Sequence, residues 1–147
     1  MEERGLYSTR IIRTFLGYIR ARYPDVDAGS LLDYAEIARA HLRDEAHWLT
    51  QRQVNRFYEH AVALTANLQL ARDAGRFSAS TAELGLARAI VLGAMDSATV
   101  FALVGRIAQT FTRGADFSSR KIAAHEVEVV VTAREGVKLE QFQCDNT

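Results

Sequence analysis

Apolar side chains recur at intervals of three and four from Ile12 to Phe111, then at intervals of two from Val127 to Val131, and the change falls just beyond Gly114. A helix repeats every ~3.6 residues and a strand every 2, so no single kind of element fits both halves. The chain must therefore lay down a run of helices before a small group of strands. That order defines an α+β fold, with an N-terminal helical run followed by a small antiparallel meander. At 147 residues, 48% of them apolar, the chain is long enough to bury one core without a metal or disulfide. The expectation is a single domain over 1–147.

The punctuation places the elements. Ile12, Phe15, Leu16 and Ile19 make the stripe of a helix starting at Ser8 or Thr9 and stopped by Pro24. Ser30 is the expected N-cap of a short helix carrying Leu31, Leu32, Tyr34, Ala35 and Ile37. The 38–47 stretch has no period and reads as a connector. Thr50-Gln51-Arg52-Gln53 has the form of a capping box and opens a helix with Val54, Phe57, Tyr58, Ala61 and Leu64 on its apolar side. A further segment runs from Leu68 to Phe77. The helix expected from Ser80 or Thr81 to Met95 is rich in small residues, and the stripe from Val100 to Phe111 is the strongest in the chain. Beyond Gly114, strands are expected over 117–122, 127–132 and 137–142, with turns at Ala123-Ala124 and Arg134-Glu135-Gly136.

Charge and cysteine content narrow the function classes. Eighteen Lys plus Arg balance eighteen Asp plus Glu, so no long-range field draws the chain to nucleic acid or an anionic membrane. One cysteine, Cys144, supports neither an internal disulfide nor a multi-cysteine zinc site. The N-terminus lacks the basic and apolar regions of a signal peptide, and no run of ~18 apolar residues is present. These features point to the cytoplasm and to no membrane or nucleic-acid partner.

Catalytic patterns do not emerge. His41, His47 and His60 with Asp44, Glu45 and Glu59 supply ligand types, but their spacings match no compact metal motif, and capping or solvated histidines account for them. Nucleophile elbows and phosphate-binding glycine loops are missing. The expectation is a non-enzymatic chain with no cofactor. Trp48, the single tryptophan, fits two roles: a plug over the helix that starts at Thr50, or the aromatic wall of a cleft with His47 as a polar contact. Gly75-Arg76-Phe77 places an arginine beside a glycine at an expected helix end, where another segment can approach closely. Gly85, Ala89 and Gly93 recur every four residues and make a groove for a partner helix, either in a homodimer or within the monomer.

The segments Asp44 to Thr50, Asn67 to Phe77, Phe111-Thr112-Arg113, Ser119 to Ile122, Val127 to Thr132 and Phe142 to Asn146 resemble an N-terminal region of bacterial sensor proteins. That region precedes PAS or histidine kinase segments. The Ala-Gly-Arg helix, the following helices and strands, and the terminal cysteine are also similar to 4-vinyl reductase domains, which belong to the ligand-binding superfamily of nitric oxide signalling and Golgi transport. The resemblance implies a sensory input module, a domain of a longer chain that a final helix would complete. Its departures are specific. Haem-binding members carry Tyr-x-Ser-x-Arg and an axial histidine, whereas this chain has Phe117-x-Ser119-x-Lys121 and no histidine between His60 and His125, which argues against haem.

Two readings follow. The first is an input domain that binds a small, largely apolar molecule in a pocket lined by His47, Trp48, Phe57, Arg76, Phe77, Phe101 and Phe111, set between the helix starting at Thr50, the helix ending at Phe111 and the meander. The alternative is a helical dimerisation or docking module that uses Gly85, Ala89 and Gly93 and takes no ligand. A filled core explains the same aromatics without a pocket.

Overall fold

A single hydroxyl sets where the first helix begins. In the computed structural model, which describes residues 4–80, 99, 106–124 and 126–138, Ser8 has extended dihedrals and its side chain accepts a hydrogen bond from the Arg10 amide. That caps α1, Thr9–Arg22. Ile12, Phe15, Leu16 and Ile19 fall on one side of α1 and are all buried, as their spacing requires. Arg20 and Arg22 complement the negative end of the helix dipole in the last turn. Pro24 follows directly after the Tyr23 cap.

The next helix begins earlier than its serine suggests. Asp27, not Ser30, caps α2, Ala28–Tyr34, because its carboxylate accepts from both the Gly29 and the Ser30 amides, at 2.9 and 3.0 Å. Those two N–H groups hold the Asp27 carboxyl below its usual range. Ser30 lies inside the helix and donates its hydroxyl to the Asp27 carbonyl. Leu31, Leu32, Ala35 and Ile37 are buried, whereas Tyr34 is exposed.

Thr50 and Gln53 form the reciprocal capping box, with Gln53 N–H donating to Thr50 Oγ1 at 3.2 Å and Thr50 N–H donating to Gln53 Oε1 at 3.1 Å. The box opens α3, Gln51–Thr65, which buries Val54, Phe57 and Ala61. Leu64 is exposed, against the expectation from its spacing. Asn67 Oδ1 then accepts from the Gln69 amide ahead of α4, Leu70–Ser80. Leu70, Ala71 and Ala74 are buried, and Leu68 stays outside the helix and exposed. The helix passes through Phe77 and is still helical at Ser80, three residues beyond what its apolar pattern indicates.

The core of this first unit forms where α1 meets the others. The Phe15 ring lies 6.1 Å from Phe57 and 5.8 Å from Tyr58, and Tyr18 lies 5.7 Å from Phe77 in an edge contact. Two short strands tie the segment before α1 to the segment before α3. β1, Tyr7–Ser8, pairs antiparallel with β2, Trp48–Leu49, in the register Tyr7 to Leu49 and Ser8 to Trp48. A Cβ on Gly5 would sit 2.8 Å from the Trp48 carbonyl oxygen, so the chain approaches Trp48 this closely only with glycine there.

The chain divides into two compact units after Ser78. In the second, residues 106–108 are helical and a turn at 109–111 holds Phe111, so helical geometry ends before Phe111 rather than at Gly114. β3, Ala115–Ala123, and β4, Glu126–Ala133, form an antiparallel hairpin with an irregularity between Lys121 and Ala123. Residues directly opposite share a face. Phe117, Val127, Val129 and Val131 occupy one face; Asp116, Arg120, Glu128 and Val130 occupy the other. Ion pairs Arg120–Glu128 and Arg134–Asp116 cross the second face. Past β4, Val137 N–H donates to the Arg134 carbonyl and Gly136 adopts φ +77°, which makes the expected turn. Val137 and Lys138 are not in a strand, and the rest of the expected third strand lies outside the described residues. The fold is α+β, with helices α1–α4 and the two-residue strands β1 and β2 among them ahead of the antiparallel β3–β4 hairpin.

Candidate functional site

The connector before β2 is more ordered than its missing period suggests. His41–Arg43 form one 3-10 turn, closed by His41 N–H to the Ala38 carbonyl and Arg43 N–H to the Ala40 carbonyl. Asp44 then makes a second turn: its carboxylate accepts from the Ala46 amide at 2.9 Å, and its carbonyl accepts from His47 N–H at 3.2 Å. The two turns bring His47 back onto His41. The imidazole rings stack with centroids 3.9 Å apart and planes at 17°.

α1 anchors this segment from outside. Arg10 and Arg13, three residues apart on the helix, both reach the Glu45 carboxylate, at 3.1 and 3.4 Å. The Arg10 hydrogen bond, reinforced by Arg13, holds the Glu45 carboxyl below its usual range. Thr9 Oγ1 donates to the Asp44 carbonyl. Within the pair, desolvation pushes the His47 pKa down, the neighbouring His41 pushes it the same way, and Asp44 opposes both. His41 Nδ1 is buried and has no hydrogen-bond partner.

Parallel stacked rings direct their in-plane lone pairs side by side, so they do not converge on one ion. Among the described residues no three His, Cys, Asp or Glu side chains come together to hold a metal. What the arrangement offers is a stacked imidazole pair with one unsatisfied nitrogen, followed directly in the chain by the half-buried Trp48.

The other expected pocket residues are dispersed. Phe57 is fully buried against Phe15, as part of the core. Phe77 packs its ring edge on Tyr18. Arg76 is exposed in the body of α4, not at a helix end, because the helix continues to Ser80. Phe111 is half-buried in its turn in the second unit. Phe101 and the Gly85, Ala89 and Gly93 groove lie outside the described residues. His41 was not singled out from the sequence for any pocket; the readable signal was Asp44, a turn former between two histidines six positions apart.

A second cluster joins α2 to α3. Tyr34 stacks on His60 at 4.4 Å, and the Arg56 guanidinium lies 4.9 Å from the same ring. Glu36, at φ 57°, pairs with Arg52 at 2.9 Å and with Arg56 at 2.5 Å. Arg52 above all lowers the Glu36 carboxyl pKa. Gln53 Nε2 donates to the Glu36 carbonyl, so the cluster fixes the α2–α3 turn.

Compared with known proteins, the chain matches no family model, no curated protein and no solved structure. Among the described residues no helix is long and apolar enough to cross a membrane.

Proposed function

We propose that the chain is a non-catalytic sensory input module that binds a small, largely apolar molecule. The observation that carries this reading is the buried His41 Nδ1, without a protein partner, in a stack on His47, the residue that precedes the half-buried Trp48 in the chain. Small-molecule sites combine an aromatic or apolar wall with a few polar atoms that fix orientation. A buried polar atom without a partner carries a desolvation penalty that a ligand hydrogen bond removes. The ligand class is therefore an aromatic or aliphatic molecule with one hydrogen-bonding group. In this role the module is cytoplasmic, pairs as a homodimer through Gly85, Ala89 and Gly93, and passes its state to a PAS or histidine kinase segment. These three features rest on the sequence alone.

The test uses the single tryptophan. Small aromatics, short fatty acids and hydrocarbons are titrated at neutral pH while Trp48 emission and the melting temperature are followed. A binder should give a saturable emission change and, at 100 times its Kd, stabilise the fold by about 2.7 kcal/mol. Trp48→Leu should reduce that thermal shift. If no compound moves either signal, the docking reading takes its place, and light scattering on the wild type and Ala89→Leu decides it.

A further inference from the structure

The hydrogen-bond donors around His41 are spent on other groups. The amides of His41, Arg43, Asp44 and His47 go to the carbonyls of Ala38, Ala40, His41 and Asp44, and the Ala46 amide goes to the Asp44 carboxylate. α1 packs on the His41–Arg43 turn, and its donors there are committed too: Thr9 Oγ1 to the Asp44 carbonyl, Arg10 and Arg13 to the Glu45 carboxylate. His47 covers one face of the His41 ring. His41 Nδ1 is left buried and without a protein partner, whereas Nε2 is not closed off in the same way.

An uncharged imidazole carries one N–H and one bare lone pair, and the hydrogen sits on the nitrogen where it can be satisfied. On Nδ1 it would be a buried donor without an acceptor, which folded proteins tolerate less often than a buried acceptor without a donor. On Nε2 it can reach water. The hydrogen therefore belongs on Nε2, and Nδ1 keeps its lone pair. That lone pair opposes a second acceptor and gains from a donor.

We infer that the molecule bound at this site is a neutral hydrogen-bond donor, a phenol, an indole or an alcohol, whose O–H or N–H points at His41 Nδ1. Ethers and ketones bring only acceptors and are rejected. Carboxylates are rejected twice, because Asp44, whose charge already acts on His47, adds like-charge repulsion. The inference rests on the ligand reading above and narrows its hydrogen-bonding group to a donor. Nδ1 is covered in the free chain, so binding exchanges that cover for the ligand, and no proton changes hands.

The experiment compares matched probes on the full chain at about pH 8, where an ordinary imidazole and a phenol are both uncharged. Phenol is paired with anisole and indole with N-methylindole, so each pair keeps its aromatic body and differs in the donor. Thermal shifts and NMR titrations give the affinities. The donor of each pair should bind about tenfold tighter or more, since the blocked analogue leaves the buried nitrogen unsatisfied. Nitrogen NMR of the free chain should show His41 Nδ1 without a hydrogen, and its resonance should move upfield when phenol binds. His41→Phe keeps a ring to stack on His47 but removes the lone pair, so both members of each pair should then bind equally. A hydrogen on Nδ1 in the free chain, or equal affinities within both pairs for the wild type, overturns the inference and leaves the ligand reading standing. Absence of binding by all four probes overturns both. A donor preference that survives unchanged in His41→Phe puts the recognition at another group and also overturns the inference. Circular dichroism shows whether the variant folds; if it does not, the wild-type resonance decides, and an Nδ1 signal unmoved by saturating phenol overturns the inference.

Discussion

Residues 4–78 and the β3–β4 hairpin treat apolar side chains in opposite ways. In the first region the apolar stripe of α1, Ile12, Phe15, Leu16 and Ile19, is 2% exposed or less, and Val54, Phe57 and Ala61 of α3 are buried as completely. In the hairpin Val129 is 39% and Val130 43% exposed, although they lie on opposite faces. Hydrophobic burial thus supplies the stability of the helical region, whereas the hairpin holds together through its ladder, its cross-strand pairs and two surface ion pairs. A two-stranded ribbon of that kind is marginal by itself. The same residue types therefore carry different energetic weight in the two regions.

The largest expected effect sharpens that contrast. Phe57→Ala removes a fully buried ring that contacts Phe15 and should cost about 3–5 kcal/mol, measured by denaturant titration followed at Trp48. Val130→Ala should stay within about 0.5 kcal/mol, since an exposed site offers little burial to lose. A comparable cost at both positions would break the comparison.

Gly5→Ala comes next and tests the β1–β2 clamp. Its new Cβ would meet the Trp48 Cβ and carbonyl oxygen at 2.8 Å, and part of that contact is backbone, which cannot rotate away. A cost of about 1–3 kcal/mol is expected, with a shifted Trp48 emission maximum in the folded state. Unchanged stability would mean that the close approach is not maintained in solution.

Local chemistry explains which parts were legible in the sequence. Ser8, Pro24 and the Thr50–Gln53 box act on their own neighbours within four residues, and each ends or starts a helix where its chemistry says. The valine alternation similarly places β4 within a residue or so. Ser30 misled because Asp27, three residues earlier, caps first: its two carboxylate oxygens take the Gly29 and Ser30 amides, and Ser30 falls inside the helix. Contacts distant in sequence left no trace: Tyr7 lies 42 residues from Leu49, and a two-residue strand has no period to read. The candidate site was half legible for the same reason. His47 and Trp48 stand out by residue type, but the ring facing His47 depends on two successive turns in a stretch without periodicity. Arg76 and Phe77 shared a motif and yet diverge, because a helix that continues to Ser80 turns adjacent residues about 100° apart.

The smallest effect compares the two regions with a single kind of change. Gly17 lies exposed inside α1 and Gly136 in the turn after β4, and a Cβ added at either would meet nothing within 4 Å. Sterics with the surroundings are therefore equal, and only the backbone differs. Gly17 has helical geometry, so Gly17→Ala narrows the unfolded ensemble without strain and should stabilise by about 0.5–1 kcal/mol. Gly136 has φ +77°, a region that costs an L-residue roughly 1–2 kcal/mol, so Gly136→Ala should destabilise. Denaturant titration reads the first, and hydrogen exchange at the β3–β4 amides reads the second. Opposite signs would show that the turn at 134–137 constrains the hairpin's end. If Gly136→Ala left exchange unchanged, the turn would contribute nothing to the ladder, and β3–β4 would depend on its cross-strand pairs alone.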